Sequence, residues 1–177
     1  MNPTDVEPIL KQAIRDVPNF PKKGIIFKDI TPLLGDGALF ALAVDRMTAP
    51  YENQGIQKVI GIESRGFLLA TAVAYKLGAG VVPVRKKGKL PHQTASVSYD
   101  LEYGTDTLEM HRDAFSPGTK ILVVDDVLAT GGTAKATCDL ADQLEASIAG
   151  VVFLIELAFL KGREKLKKQR VHSLIQF

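Results

Sequence analysis

Two adjacent carboxylates, Asp125 and Asp126, end an apolar run in the segment KILVVDDVLATGGT, which covers residues 120–133. Like charges so close repel each other, and burying either carboxylate without a partner costs free energy. The simplest interpretation is an acidic strand end at the surface. The glycines and threonines that follow favour another, in which a ligand supplies hydrogen-bond donors to both aspartates.

The turn after the aspartates has the composition of a phosphate-binding site. If a helix begins near Ala134, the turn holds free backbone N–H groups at the positive end of the helix dipole. A ribose 5-phosphate fits both halves of the segment, with its phosphate in the turn and its ring hydroxyls donating to the aspartates. The segment matches neither a Walker loop nor the G-x-G-x-x-G fingerprint. The predicted phosphate and ribose site comprises Asp125, Asp126, Ala129, Thr130, Gly131, Gly132 and Thr133.

Two further segments carry groups that suit anions. In GIESRG, residues 61–66, a strand ends and an apolar helix begins, so free amides and Arg65 can together bind a phosphate. The alternative is that Arg65 only caps the sheet edge. In RKKGKLPHQ, residues 85–93, four cations occur within five residues. Such a segment is usually no more than a solvated loop.

The elements that position these segments alternate between strands and helices. Four short runs rich in β-branched residues, VIGI, VVPV, ILVV and VVFLI, begin at Val59, Val81, Ile121 and Val151. They are mostly non-alternating, as expected of strands covered on both faces. Helices are predicted between the first pair, in FLLATAVAYKL, which should be largely buried, and between the last pair, over residues 134–146. This order predicts an α/β fold with a central parallel sheet flanked by helices, whose ligands bind at the carboxyl ends of the strands.

The remaining chain predicts smaller features. Apolar residues from Val6 to Val17 recur at helical spacing, and a second helix is expected over Leu39–Met47. Between them, a segment rich in proline and glycine predicts a shaped loop with little regular structure. Alternation over residues 96–103, followed by the turn YGTD, predicts a hairpin that projects from the core.

Length, charge and cysteine content restrict the class of protein. A chain of 177 residues is expected to form a single domain. The formal net charge of +2 does not argue for nucleic acid, and the basic stretch of residues 161–170 is expected to be a solvated helix or turn. The N-terminus lacks the features of a signal or transit peptide, no apolar run is long enough to cross a bilayer, and the one cysteine, Cys138, cannot form an intrachain disulfide. We expect a cytoplasmic protein without nucleic-acid or membrane partners.

ILVVDDVLATGGT resembles the phosphoribosyl-pyrophosphate motif of the type I phosphoribosyltransferases. Five further blocks resemble the adenine-specific branch of that family in order and spacing: FPKKGIIFKDITPLL, GIESRGFLLA, RKKGKLP, YDLEYGTDTLEMH and FLIELAFLKGREKL. Together they span nearly the whole chain. The resemblance implies a small N-terminal hood, mainly residues 1–35, and a flexible catalytic hairpin of about residues 94–110.

The resemblance also implies a role for each block. Glu63, Ser64 and Arg65 would hold pyrophosphate, often beside a non-proline cis peptide, and Arg65 would stabilise it as the leaving group. Lys86 and Lys89 would help to neutralise it, sometimes across a dimer interface, whereas many members carry proline at the position of Lys87.

The base would be bound by the hood and the hairpin. Phe27 would stack on adenine, and backbone groups of Ile26 and Lys28 would read its edge, although a phenylalanine is more often a core residue. Glu102 would close over the base as its proton partner, although by pattern alone it is an exposed strand carboxylate.

The implied activity is transfer of the 5-phosphoribosyl group from 5-phosphoribosyl 1-diphosphate to adenine, giving AMP and pyrophosphate in purine salvage. Mg2+ would arrive with the diphosphate, held mainly by substrate oxygens and water, and the enzyme would be a homodimer. Three alternatives stay open. They are a phosphoribosyltransferase for another nucleobase, a non-catalytic sensor of phosphoribosyl pyrophosphate, and a general nucleotide or sugar-phosphate binding module.

Overall fold

The computed structural model describes residues 6–100 and 104–177, which form a twisted seven-stranded sheet with helices on both faces and a small two-stranded sheet at the N-terminal end. The helices are α1 (Val6–Gln12), α2 (Thr31–Gly35), α3 (Gly37–Thr48), α4 (Gly66–Leu77) and α5 (Gly132–Gln143). The strands are β1 (Arg15–Pro18), β2 (Ile26–Asp29), β3 (Lys58–Ile62), β4 (Gly80–Lys86), β5 (Thr94–Asp100), β6 (Thr105–His111), β7 (Lys120–Leu128), β8 (Ser147–Glu156) and β9 (Val171–Gln176). Short 3-10 turns cover Ala49–Tyr51, Ala158–Leu160 and Gly162–Leu166.

The large sheet has the order β5-β6-β4-β3-β7-β8-β9. Strands β4, β3, β7, β8 and β9 run parallel, and β6 and β5 add an antiparallel hairpin at one edge. The carboxyl ends of β3 and β7 therefore lie side by side. This placement brings GIESRG next to the aspartates of β7.

Both faces of the central strands are buried, which confirms the interpretation of the non-alternating runs. Along β7, Leu122 and Val124 pack into the core under α4, whereas Ile121 and Val123 pack into the core under α5. Because successive strand side chains point to opposite faces, each strand contributes to both cores. The predicted parallel α/β fold and the helices α3, α4 and α5 are confirmed.

Two local predictions at the N-terminus were wrong, and one strand at the C-terminus was not predicted. The first helix ends at Gln12, and Arg15–Pro18 forms β1, which pairs antiparallel with β2 in the segment predicted to lack regular structure. That segment also contains α2. Strand β9 was missed. Pairing with a neighbouring strand decides the conformation of β1, β2 and β9, and a local pattern does not report such a partner.

Helix α4 is less buried than predicted. Leu69, Ala70 and Val73 lie in the core, but Leu68 is 54% exposed and Tyr75 is 90% exposed. The apolar composition of this helix reflects two faces, of which only one packs on the sheet. Across the described residues, no helix is both long enough and apolar enough to span a bilayer.

The hairpin predicted around residues 96–103 is present as β5 and β6. Its base is part of the large sheet, where Ala95, Leu108 and Met110 are buried. Val97 and Tyr99 pack against the core under α5, and Ser96 and Ser98 are exposed, as the alternation predicted. Residues 101–103 fall outside the described part of the chain.

Candidate active site

The turn between β7 and α5 encloses a small cavity of about 80 Å3. Gly131 has a φ of 77°, and a side chain there would place its Cβ 2.4 Å from the carbonyl oxygen of Gly162. A Cβ at Gly162 would in turn lie 2.3 Å from the carbonyl oxygen of Ala129. The turn is thus pressed against the segment after β8, and only glycine fits at either contact. Asp125 lines the cavity, whereas Asp126 does not. The other predicted phosphate-binding residues, which we call the cup, all line it: Ala129, Thr130, Gly131, Gly132 and Thr133.

Asp125 and Asp126 are both buried, so the interpretation of an acidic strand end at the surface was wrong. Asp125 Oδ1 accepts a hydrogen bond of 2.9 Å from the Asp126 backbone N–H. Burial, and then the charge of Asp126, raise the pKa of Asp125 well above its ordinary value. A ligand hydroxyl that donates to Asp125 would offset the free-energy cost of burying its ionised carboxylate.

Arg65 joins the aspartate pair to the segment after β3. Its Nη2 lies 2.8 Å from Asp126 Oδ2, an ion-pair distance, although this oxygen makes no hydrogen bond of acceptable geometry with any described group. The two segments also touch at Gly66, where a Cβ would lie 2.5 Å from Asp125 Oδ1. The two predicted anion sites therefore meet at the aspartate pair.

The segment GIESRG contains a cis peptide bond between Glu63 and Ser64, at the position that the family resemblance implies. Arg65 immediately precedes the first turn of α4, and Ser64 is exposed. The Glu63 carboxylate points away from this loop toward residues 85–89, the basic segment, where it pairs with Arg85 and Lys89. The backbone N–H of Glu63 donates to the Val84 carbonyl at 3.0 Å, so the predicted contact of Glu63 with pyrophosphate has no free donor on this residue.

Phe27 lies on β2, half-buried and outside both hydrophobic cores. Its ring packs edge-on against Phe20, with 5.1 Å between centroids, and the Arg65 guanidinium lies 4.8 Å from its centroid. A flat base stacked on Phe27 would therefore lie near the group that contacts Asp126. This connection between the hood and the aspartates was not apparent from sequence.

The neighbours of Phe27 along β2 differ in their side-chain environment. Ile26 is exposed, and Lys28 forms an ion pair of 2.6 Å with Asp16 while lying 3.9 Å from the ring centroid of Phe177. Within the described part of the chain, strand β2 pairs only with β1, so its other edge offers backbone donors and acceptors to a ligand.

The basic segment is paired with carboxylates to a degree that its composition did not predict. Lys86 Nζ lies 2.9 Å from Asp106 Oδ2, and Lys89 Nζ lies 2.6 Å from Glu63 Oε1. The ion pair raises the pKa of Lys86 and lowers that of Asp106. Sequence reasoning missed Asp106, because its partner is on another strand of the sheet.

Glu102 lies outside the described residues, so its assigned role stays a prediction. The hairpin that carries it reaches the phosphate cup through Tyr99, whose hydroxyl accepts a hydrogen bond of 3.3 Å from Thr133. Tyr99 was not among the predicted site residues. Its alternation on the inward face of β5 was the available signal.

The fold, with two predicted anion sites at neighbouring strand ends, is that expected of a phosphoribosyltransferase, and the model of the phosphoribosyl transferase domain family matches residues 34–175. The adenine phosphoribosyltransferase of Acidothermus cellulolyticus is 54% identical over 176 residues, covering 99% of each chain. That of Trichlorobacter lovleyi is 57% identical over 168 residues, covering 95% of this chain and 98% of the relative. The chain belongs to the adenine phosphoribosyltransferase family.

Solved structures agree with this assignment. The crystal structure of adenine phosphoribosyltransferase from Rhodothermus marinus has a TM-score of 0.95 at 54% identity and covers 98% of this chain and 99% of its own. The Saccharomyces cerevisiae enzyme, complexed with an imino-altritol bisphosphate and adenine, has a TM-score of 0.91 at 40% identity, covering 97% and 99%.

Proposed function

We propose that the protein transfers the 5-phosphoribosyl group from 5-phosphoribosyl 1-diphosphate to adenine, giving AMP and pyrophosphate. The observation that carries the proposal is the contact between Arg65 and Asp126, because it joins two anion-binding loops through carboxylates suited to a ribose. A substrate with phosphates at both ends of one sugar matches this arrangement. The adenine phosphoribosyltransferases to which the chain is similar supply the identity of the base.

In this mechanism the 5-phosphate binds the amides of residues 129–133, and the ribose hydroxyls donate to Asp125 and Asp126. The bond from the anomeric carbon to the diphosphate breaks, and its electron pair leaves with pyrophosphate. A purine ring nitrogen then attacks the oxocarbenium-like carbon from the opposite face. The aspartates offset the positive charge that develops on the sugar, and Arg65 stabilises the leaving group.

Adenine binds between the hood and the sugar. Phe27 stacks on the purine, and the free backbone edge of Ile26 and Lys28 pairs with its polar groups. A 6-oxo purine would present an acceptor where the site expects a donor, so it would leave a buried polar group unpaired. Glu102 exchanges a proton with the imidazole ring of the base, which contributes roughly 100-fold to 10,000-fold to such reactions.

Mg2+ is the proposed cofactor, entering with the diphosphate. Among the described residues, no three His, Cys, Asp or Glu side chains form a metal-binding group. Mg2+ commonly keeps several waters and binds substrate phosphates with one or two carboxylates, so a site without a dedicated metal-binding group suits it. The ion would be held mainly by diphosphate oxygens and water beside Asp125 and Asp126, and it would neutralise charge on the diphosphate.

A homodimer is part of the proposal. The exposed side chains Leu68 and Tyr75 adjoin Leu34, Phe40 and Phe67 around an open depression of about 700 Å3, an apolar face of the kind that a second copy covers. Tyr75→Glu is expected to give monomers in light scattering, whereas exposed Lys76→Glu keeps the mass of the parent.

The proposal also places the enzyme in the cytoplasm, in agreement with its single free cysteine, which is buried.

The decisive assay measures pyrophosphate release from phosphoribosyl diphosphate and Mg2+ with each nucleobase in turn. Release with adenine, and little with hypoxanthine, guanine or orotate, is expected. Release only with another base would assign the alternative enzyme. Binding of phosphoribosyl diphosphate without release on any base would favour a sensing protein.

Glu102→Leu tests the proton-transfer step. We expect turnover to fall by roughly 100-fold or more, since general acid–base help is lost, while AMP affinity changes little. Glu164→Leu, at an exposed surface position, is the matched control. An equal loss of turnover and AMP affinity would contradict the role.

A further inference from the structure

The basic segment is held against the sheet by one buried carboxylate, Glu63. Its Oε1 lies 2.6 Å from Lys89 Nζ, and its Oε2 accepts hydrogen bonds of 3.1 Å from the Lys86 backbone N–H and 3.3 Å from Arg85 Nε. The Glu63 side chain is only 8% exposed. A single group therefore fixes both the start and the end of the segment.

A second buried carboxylate holds the turn itself. Glu109 on β6 accepts a hydrogen bond of 2.9 Å from the backbone N–H of Gly88, which has a φ of 80°. The backbone N–H of Lys87 donates to the Thr107 carbonyl at 3.1 Å. The turn is thus tied to β6 as well as to Glu63.

The charge state of Glu63 is set by two opposing effects. Burial would raise the pKa of Glu63, but hydrogen bonds from Lys89 and Lys86 outweigh burial and hold it below its ordinary value. The group is therefore an anion at neutral pH. It lies one residue from Ser64, in the loop where a diphosphate is proposed to bind.

The negative charge of Glu63 is unexpected here, because the diphosphate that is proposed to bind beside it is also an anion. Glu63 repels a diphosphate and partly neutralises Arg85 and Lys89. Its cost to binding is offset only if the geometry that it imposes on the segment contributes more, since small misplacements of binding groups can cost as much as roughly 100-fold.

We propose that Glu63 is a positioning residue, which holds the Lys89 ammonium in place for the diphosphate, and anchors the backbone of Lys86, without binding the anion through its own carboxylate. This proposal rests on the proposed function, because the diphosphate is that of the proposed substrate. It reassigns Glu63 from a pyrophosphate ligand to a residue that acts through its neighbours.

The two possible roles of Glu63 predict opposite changes in the pyrophosphate affinity of Glu63→Gln. If the carboxylate only neutralises cations, Glu63→Gln removes a repulsive charge and tightens pyrophosphate binding. If the carboxylate positions the segment, Glu63→Gln weakens pyrophosphate binding, because the amide cannot hold two cations and a backbone N–H together.

The test is calorimetric titration with pyrophosphate and Mg2+, and separately with AMP, which lacks the diphosphate. For Glu63→Gln we expect pyrophosphate affinity to fall roughly tenfold, as loss of a charged hydrogen bond typically does, with AMP affinity unchanged. Glu63→Asp keeps the charge and should lose less. Glu52→Gln, at an exposed position on another edge, is the control.

Tighter or unchanged pyrophosphate binding by Glu63→Gln would overturn the proposal, and so would an equal loss of AMP affinity. If that variant folds poorly, Glu109→Ala removes the second anchor and leaves the Glu63 ion pairs intact; it too should weaken pyrophosphate alone. A parent protein that binds pyrophosphate but forms no AMP would overturn the proposed function and leave the positioning role standing. A parent that does not bind pyrophosphate would overturn both.

Discussion

The two proposed anion-binding ends of the site are built by different physical means. The cup of residues 129–133 consists of backbone amides shaped by close glycine contacts, with Gly131 against Gly162. The diphosphate end relies on charged side chains, Arg65, Lys86 and Lys89, each already within ion-pair distance of a carboxylate. The first end is preformed by backbone contacts, whereas in the second internal carboxylates hold the cations in place.

This difference matches the fates of the two phosphate groups. In the proposed reaction the 5-phosphate stays attached to the sugar throughout, so a rigid cup serves both substrate and product. The diphosphate leaves, and cations that stay paired with internal carboxylates attract it less strongly, which eases its release. Binding of AMP should therefore depend on the cup, and binding of pyrophosphate on the ion pairs.

The largest expected effect comes from disturbing the cup with Gly131→Ala. The added Cβ meets the Gly162 carbonyl oxygen at 2.4 Å, and a φ of 77° is strained for alanine. Both AMP and phosphoribosyl diphosphate should bind roughly 100-fold more weakly, because the amides are displaced. Gly37→Ala, where an added Cβ meets nothing within 4 Å, is the control. Normal AMP affinity in Gly131→Ala, measured by calorimetry, would show that the cup is not preformed.

Asp125→Asn tests the point at which the two ends meet. Folding raises the pKa of Asp125. The folded protein is therefore destabilised as the pH rises from the ordinary pKa of an aspartate through the raised pKa, because the carboxyl ionises while buried. The variant should therefore melt at a higher temperature than the parent at neutral pH, by about 2–4 °C for each kcal/mol gained, and this difference should vanish in acid.

The same variant should bind phosphoribosyl diphosphate roughly tenfold more weakly, because it loses a charged acceptor for a ribose hydroxyl. Asp142→Asn, at an exposed position on α5, is the control for both measurements. A lower melting temperature with unchanged affinity for phosphoribosyl diphosphate would show that Asp125 has only a structural role.

Lys89→Met should affect only the diphosphate end. Loss of a charge-assisted contact predicts pyrophosphate binding weaker by roughly tenfold, with AMP binding unchanged. The exposed Lys167→Met controls for net charge. If AMP affinity falls equally, the two ends are not independent.

The smallest effect is expected from salt. Raising the ionic strength from about 0.1 M to about 1 M shortens the screening length from about 10 Å to about 3 Å. Pyrophosphate affinity should fall a few-fold more than AMP affinity, since its partners are partly exposed side chains. Equal salt dependence in parallel titrations would contradict the comparison.

Sequence reasoning was most successful where local pattern and tertiary environment agree. The strands β3, β4, β7 and β8 and the helices α3, α4 and α5 were predicted from apolar runs and their spacing, and all seven are present. It failed for β1, β2 and β9, which depend on pairing with a neighbouring strand, and β1 and β2 are only four residues long. It also missed the exposed face of α4, because composition reports that a residue is apolar but not what covers it.

The candidate site shows the same division. The glycine turn and the aspartates are contiguous in sequence, so their chemistry could be inferred before their positions were known. The roles of Asp106 and Glu109 could not, because both act on the basic segment of residues 85–89 from a neighbouring strand.

The sequence by itself determined the parallel α/β architecture and the family resemblance, since each is encoded in residues close together along the chain, and for the same reason it predicted the cup. Only the tertiary structure decided that Arg65 contacts both Asp126 and Phe27, and that Glu63 faces the basic segment. The physical reason is that ion pairs and ring contacts depend on distances of a few ångströms between separate elements. Those distances are set by sheet order and register, which local patterns do not specify.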